Sequence, residues 1–235
     1  MLKQLNMLKK EYNSRKAHRG DTVTRFEDKE LINWIASSMQ LAGYSLTRKD
    51  VGKVISGEGT GGGTIEEYLL IQRYMELISK FRYMLEMSIE IDERYLNEIY
   101  MMLSSTTSTN FRKKHESLFG YAYYPPYIVE IKGKMAELMR LLGDVSLNSE
   151  PVIKAVFLHN KIFEIQPFED KNDAVAYAAL CYELVRNGFP LLALDISREE
   201  YLEYMKDCLV GGKVTGLLTA VAKALATEMN VIIKG

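Results

Sequence analysis

The chain has 235 residues, 47% of them hydrophobic and 26% charged, with 30 Lys and Arg against 31 Asp and Glu. That length suits one domain of about 150 to 200 residues with an extension, and the composition excludes a disordered or collagen-like polymer. The balanced charge leaves no cationic excess to neutralise a phosphate backbone over a wide surface, so nucleic acid is a disfavoured partner.

Residues 1–27 form an N-terminal basic segment. Lys3, Lys9, Lys10, Arg15, Lys16 and Arg19 stand against Glu11 and Asp21, with Tyr12 as an isolated aromatic. Short blocks of like charge with little aromatic interleaving point to a solvated segment. A DNA-binding adaptor is a reading that rests on these residues alone. The start has no continuous apolar core of the signal-peptide kind, and no stretch reaches about 18 uncharged apolar residues, so the expectation is a cytoplasmic protein without a membrane segment. Cys181 and Cys208 lack a second Cys or a His at ligand spacing and read as buried free thiols.

Residues 28–90 read as N-terminal helices. Leu31, Ile32, Ile35 and Met39 share a helical face from Asp28 onward, and Thr47 is a candidate cap for a helix through Val51, Val54 and Ile55. The run Gly57-Glu58-Gly59-Thr60-Gly61-Gly62-Gly63 contains G-x-G-x-x-G, the form of a dinucleotide fingerprint. A phosphate-cradling glycine loop should leave a β-strand, whereas this one leaves a helical pattern and reads as an interhelical loop. Gly212-Lys213 fails as a P-loop, because Asp207 and Val214 occupy the flanking motif positions. A long helix then carries Tyr68, Leu69, Ile71, Tyr74, Met75 and Ile78.

Residues 91–235 read as the core. Asp92 opens a helix through Tyr95, Leu96, Ile99 and Leu103, which ends in the polar run Ser104 to Asn110. Phe111 to Tyr127, rich in aromatics and closing on Tyr124-Pro125-Pro126, predicts a short hairpin or irregular excursion. Helices are expected over 128–142, 151–165, 173–187, 198–209 and 215–226. The fold class is all-α with one small hairpin.

Chemistry concentrates at Glu169-Asp170-Lys171-Asn172-Asp173, a dense polar loop between two helical patterns. Pro167 ends the preceding helix, and Phe168 can pin the loop to the core. The following helix offers free N–H groups and a partial positive charge, beside which a carboxylate can hold a divalent cation that carries phosphate. The same residues also suit an ordinary capped turn between helices.

The run Gln166-Pro167-Phe168-Glu169-Asp170-Lys171-Asn172-Asp173-Ala174 resembles the loop H-P-F-x-[D/E]-G-N-G-R of the Fic family. His159 and Ile165 resemble the family's helix leading to the loop. Phe111-Arg112 and Tyr124-Pro125-Pro126 resemble its flap hairpin, and Asp195 to Tyr201 its late helix start. The likeness spans residues 28 to 228 and implies a Fic-like helical bundle with a small β-hairpin flap.

It also implies an enzyme that moves AMP from ATP to a hydroxyl of a target protein, with Mg²⁺ and ATP bound where the site survives. Asp170 keeps the acidic metal position and Asn172 the family Asn. Gln166 stands at the family's general base and cannot accept a proton near neutrality. Lys171 and Asp173 replace the two phosphate-closing glycines, and Ala174 replaces the phosphate-pairing Arg. Ser38 to Gly43 resembles the family's inhibitory helix [S/T]-x-x-x-E-[G/N], with Ala42 at the Glu position. Joint loss of base, Arg and Glu implies a degenerate member that no longer transfers AMP and acts as a binding or regulatory module toward a protein partner or target, with self-association also open. The alternative is an active nucleotidyl- or phosphoryl-transferase using Asp170 with a metal, Asn172 and Lys171 for the nucleotide, and Glu164 or Glu169 as base. His159 reads as a packing residue.

Overall fold

The computed structural model describes residues 1–18, 26–59, 62–107 and 111–234, so Arg19 and Asp21 of the basic segment, part of the glycine run and the end of the 104–110 loop lie outside the described residues. In chain order the helices are α1 (Leu2–His18), α2 (Asp28–Leu41), α3 (Arg48–Ile55), α4 (Ile65–Glu86), α5 (Glu93–Ser104), α6 (Ile131–Leu142), α7 (Val145–Asn148), α8 (Pro151–Ile165), α9 (Asn172–Arg186), α10 (Arg198–Gly211) and α11 (Thr215–Lys234). Among the described residues the only β pairing is one antiparallel bridge, Leu118 with Tyr123. The expected hairpin flap is therefore an irregular excursion closed by a single bridge.

The antiparallel pair α8 and α9 forms the centre. α9 is buried on nearly every face, from Ala174 through Val185, and a helix that is apolar all round belongs inside a bundle. Its alanines at 174, 176, 178 and 179 let neighbouring helices come close. α2 and α5 pack on α9, while α6, α10 and α11 pack on α8. At the centre lies one buried ion pair, Lys154 Nζ to Glu183 Oε1 at 3.3 Å, with side chains 6% and 3% exposed.

Local chemistry sets the helix starts. Thr47, Thr64 and Asp92 each accept a hydrogen bond from the backbone N–H three residues on, in α3, α4 and α5. Trp34 of α2, fully buried, meets Tyr74 of α4 edge-on at 5.4 Å, and Phe81 of α4 meets Tyr182 of α9 at 5.2 Å, which joins the N-terminal helices to the core.

The N-terminal segment differs from its expectation. Residues 2–18 are a helix packed along α11, with Leu5 and Tyr12 buried and Lys9 Nζ donating to the Asn187 carbonyl at 3.2 Å. Its basic side chains lie over an apolar seam, and burial of that seam supplies the driving force that charge counting misses. α11 also runs past its expected end, to Lys234. By length and composition α11 could cross a membrane, yet Leu217, Val221, Ala222, Leu225 and Met229 are buried in this fold. Cys181 is buried, whereas Cys208 is only partly so.

Candidate binding cleft

The loop between α8 and α9 is held by its own residues. Gln166 and Lys171 both take the left-handed conformation, φ 49° and 55°, which side-chain-bearing residues adopt only when the surroundings enforce it. Enforcement comes from two places. Asn172 closes the loop, its Oδ1 accepting from the Phe168 N–H at 2.9 Å and its Nδ2 donating to the Phe168 carbonyl at 2.8 Å. Phe168 is buried and stacks on Tyr100 with ring centres 4.3 Å apart.

The 111–127 excursion is tied to this loop through Arg112. Its backbone N–H donates to the Pro167 carbonyl at 2.9 Å, its Nε to the Gln166 carbonyl at 2.7 Å, its Nη1 to the Lys114 carbonyl at 2.8 Å and its Nη2 to the Pro126 carbonyl. A buried guanidinium with its donors spent on carbonyls is a positioning element. Glu169 completes the tie by accepting from the Lys113 N–H at 2.6 Å. Phe111 is half-buried against the core.

Loop and excursion enclose a cleft of about 450 Å³. Three carboxylates line it, Glu169, Asp170 and Asp173, against two cations, Lys171 and Arg198. Gln166 is turned back, its Nε2 donating to the Phe163 carbonyl at 2.7 Å, so it caps the end of α8. The Asp173 carboxylate accepts from the Ala174 N–H at 2.8 Å and thereby takes up a donor at the start of α9. Arg198 Nη1 pairs with the other Asp173 oxygen at 3.3 Å and also donates to the Leu41 carbonyl at the end of α2. Lys171 Nζ donates to the Tyr44 hydroxyl at 2.9 Å, and that hydroxyl donates to Glu66 at 3.5 Å. Both cations are thus drawn toward the chain just after α2. Asp170 stays exposed beside Tyr100, whose hydroxyl burial pushes up, with the Asp170 charge adding to it.

Ser38, Ala42 and Gly43 lie at this same junction. Ser38 is buried and donates to the Trp34 carbonyl at 2.8 Å, and the Ala42 N–H donates to the Ser38 carbonyl at 3.1 Å. Gly43, at φ 94°, permits the close passage of Arg198, because a β-carbon there would stand 3.2 Å from the arginine Cδ and Nε. His159 lies outside the cleft, fully buried, with Nε2 2.9 Å from the Tyr201 hydroxyl and Nδ1 3.1 Å from Asn160 Oδ1. Burial lowers its pKa to about 4 and keeps the ring neutral.

Arg198, which lines the cleft, and Tyr44, which holds Lys171, are polar residues of this region that sequence patterning does not select as site residues. A signal for Arg198 exists in its position. It follows the cap Ser197 directly, at the positive end of α10, where a cation is unfavourable unless something outside the helix claims it.

Toward a magnesium nucleotide the cleft offers Asp170 as its exposed carboxylate for the metal. Among the described residues no group of three or more His, Cys, Asp or Glu is placed to hold a metal, and the Glu169 carboxylate is engaged with the excursion. The start of α9 presents a carboxylate where a phosphate would need open N–H groups.

Residues 90–184 match the family model of the Fic/DOC family. No curated protein matches the chain in sequence. Solved structures similar in fold include Fic-1 (residues 134–508) from C. elegans, with TM-score 0.81, 19% identity, and 100% of this chain and 71% of that one covered. A Fic domain containing signaling protein from Bacteroides thetaiotaomicron VPI-5482 gives TM-score 0.79 at 19% identity, with coverage of 99% and 96%. A Fic family protein from Desulfovibrio desulfuricans G20 gives 0.75 at 17% identity, with coverage of 99% and 74%. Residues 90–184 thus match the Fic/DOC family model, and the whole chain takes the all-α fold of the solved Fic domain structures.

Proposed function

We propose that this Fic-like protein does not transfer AMP and that its cleft and the 111–127 excursion serve binding or regulation of a protein partner. One observation carries the reading: in the first turn of α9 the chain's own Asp173 carboxylate accepts the Ala174 N–H, and its second oxygen is paired with Arg198. An anion entering there meets a carboxylate and must break that pair. Gln166, in the position of the family's base, supports the reading further, since it is bonded to the Phe163 carbonyl and has no basic nitrogen.

A second reading has its own support in Arg198, a guanidinium in the cleft that can face phosphate once Asp173 releases it. In that case the chain is a nucleotidyl- or phosphoryl-transferase with altered chemistry.

The deciding experiment incubates the purified protein with α-labelled ATP and Mg²⁺ or Mn²⁺, alone and with a lysate, beside a thermal-shift scan of ATP, ADP and CDP-choline. The expected result is no covalent label above a denatured control and no shift, whereas a ligand at about a hundred times its dissociation constant would stabilise by about 2.7 kcal/mol. Label that disappears with Asp170→Ala would replace the first reading with the second.

A further inference from the structure

A second cavity, of about 430 Å³, shares no lining residue with the cleft. Its wall is one stripe of α8, at the spacing of a single helical face: Ile153, Val156, Phe157, Asn160, Lys161 and Glu164. The stripe is apolar for its first half and polar for its second. Leu209 of α10, Leu218 of α11 and Tyr123 of the excursion close the other sides. The volume lies in the range of small-molecule pockets, about 300 to 1,000 Å³, and so does the pattern of apolar walls with a few placed polar groups.

The polar groups select the ligand. Lys161 Nζ and the Glu164 carboxylate are paired at 2.6 Å, so each cancels the other's attraction for a charged guest. An anion would face Glu164 and a cation would face Lys161. Asn160, 8% exposed, is oriented by its neighbours: His159 donates from Nδ1 to Asn160 Oδ1, and Tyr201 donates to His159 Nε2. The Asn160 amide nitrogen is thereby turned toward the cavity, where its acceptor is the Cys208 sulfur at 3.5 Å. A thiol is a weak acceptor, and a carbonyl, ether or hydroxyl oxygen is a better one.

We infer that this cavity is a binding site for an uncharged, mainly apolar small molecule that carries one oxygen acceptor for Asn160. The site lies beside the excursion that covers the cleft, because Tyr123 lines the cavity and its hydroxyl donates to the Glu164 carbonyl at 3.3 Å. A bound molecule touches Tyr123 and so reaches the element that Arg112 ties to the loop.

The test uses 6-propionyl-2-dimethylaminonaphthalene, an uncharged aromatic ketone with environment-sensitive fluorescence, on the full chain. Saturable one-to-one binding with blue-shifted emission is expected. At saturation, maleimide labelling of Cys208 should slow about tenfold, because the thiol lines the occupied space. Cys181, fully buried, is the internal control. Leu218→Trp and Ile153→Trp, from opposite walls, should each weaken binding at least about tenfold at unchanged circular dichroism. No saturable binding, unslowed labelling of Cys208 in the wild-type chain, or undiminished binding in whichever Trp variants fold would overturn the proposal. Dye binding that vanishes as protein concentration rises would overturn it in favour of an interface between copies of this chain.

Discussion

Replacing Arg198 by alanine tests how the end of α2 is fastened to the start of α9. Arg198 makes two distinguishable interactions. The pair with Asp173 is partly solvated, its side chains 35% and 22% exposed, and so contributes only about 0.5 to 1 kcal/mol. The bond to the carbonyl of buried Leu41 is charge-assisted and contributes about 1.5 kcal/mol. Together the loss is about 2 kcal/mol, or about 4 to 8 °C in Tm for a domain of this size. Urea unfolding of the wild type, Arg198→Ala, Asp173→Ala and the double variant separates the two contributions, since the cycle reports only the ion pair. The coupling energy should be below about 1 kcal/mol and should shrink in 1 M salt, while most of the Arg198→Ala loss should persist there. Hydrogen exchange at Ala42, Gly43 and Tyr44 should accelerate in Arg198→Ala. Unchanged stability and exchange would show that Arg198 does not fasten α2, and the account of the cleft's two cations would fail with it.

The His159 ring should stay neutral down to about pH 5 in an NMR titration. Its folded pKa is about 4 and its unfolded value about 6.5, so the folded state forgoes a proton that the unfolded chain binds. The associated stability is fully present above pH 6.5 and falls by about 3 kcal/mol on the way to pH 4; His159 protonating with an ordinary pKa would refute this. Lys154→Met leaves Glu183 buried and should cost about 3 kcal/mol in urea unfolding, with much of the loss recovered on adding Glu183→Leu. If the double variant is no more stable than the single one, the pair is not the cause. Arg112→Ala should free the 111–127 excursion and raise its cleavage by trypsin at Lys113 and Lys114 while the helices stay intact. Gln166→His alone should give no AMP transfer to a target hydroxyl, and radiolabel on the variant would show that the start of α9 still accepts phosphate.

The helices were legible because burial imposes a period on the sequence, and most of α2, α5, α8 and α9 follow it. The packed N-terminal helix was not legible, because its apolar side chains at Leu5 and Tyr12 are sparse among lysines and their partner, α11, lies two hundred residues later. The excursion was readable as aromatic and Pro-bounded, and beyond its Leu118–Tyr123 bridge Pro125 and Pro126 have no N–H to extend a ladder, while Arg112 takes the Lys114 and Pro126 carbonyls. In the cleft, the anchoring parts of the loop were readable, since Pro167 directly follows Gln166 at the end of α8 and Asn172 bonds to Phe168 four residues away. Arg198 was not, since its partners Leu41 and Asp173 lie 157 and 25 residues away.

Those distant partners decide what the cleft can hold. A helix start attracts anions because its first N–H groups are unpaired and its dipole is positive there. In this chain the Asp173 carboxylate takes up one of those N–H groups from within, and its counter-ion Arg198 also donates from Nη1 to the end of α2. The result is a cleft whose electrostatic needs are met internally, with Asp170 left as the exposed carboxylate beside the Tyr100–Phe168 stack. A guest that competes for such a cleft gains most by donating to Asp170 and packing on apolar side chains such as Phe163 and Leu202, and least by presenting phosphate. On the proposed function, a polypeptide segment with a donor side chain meets those terms better than a nucleoside triphosphate.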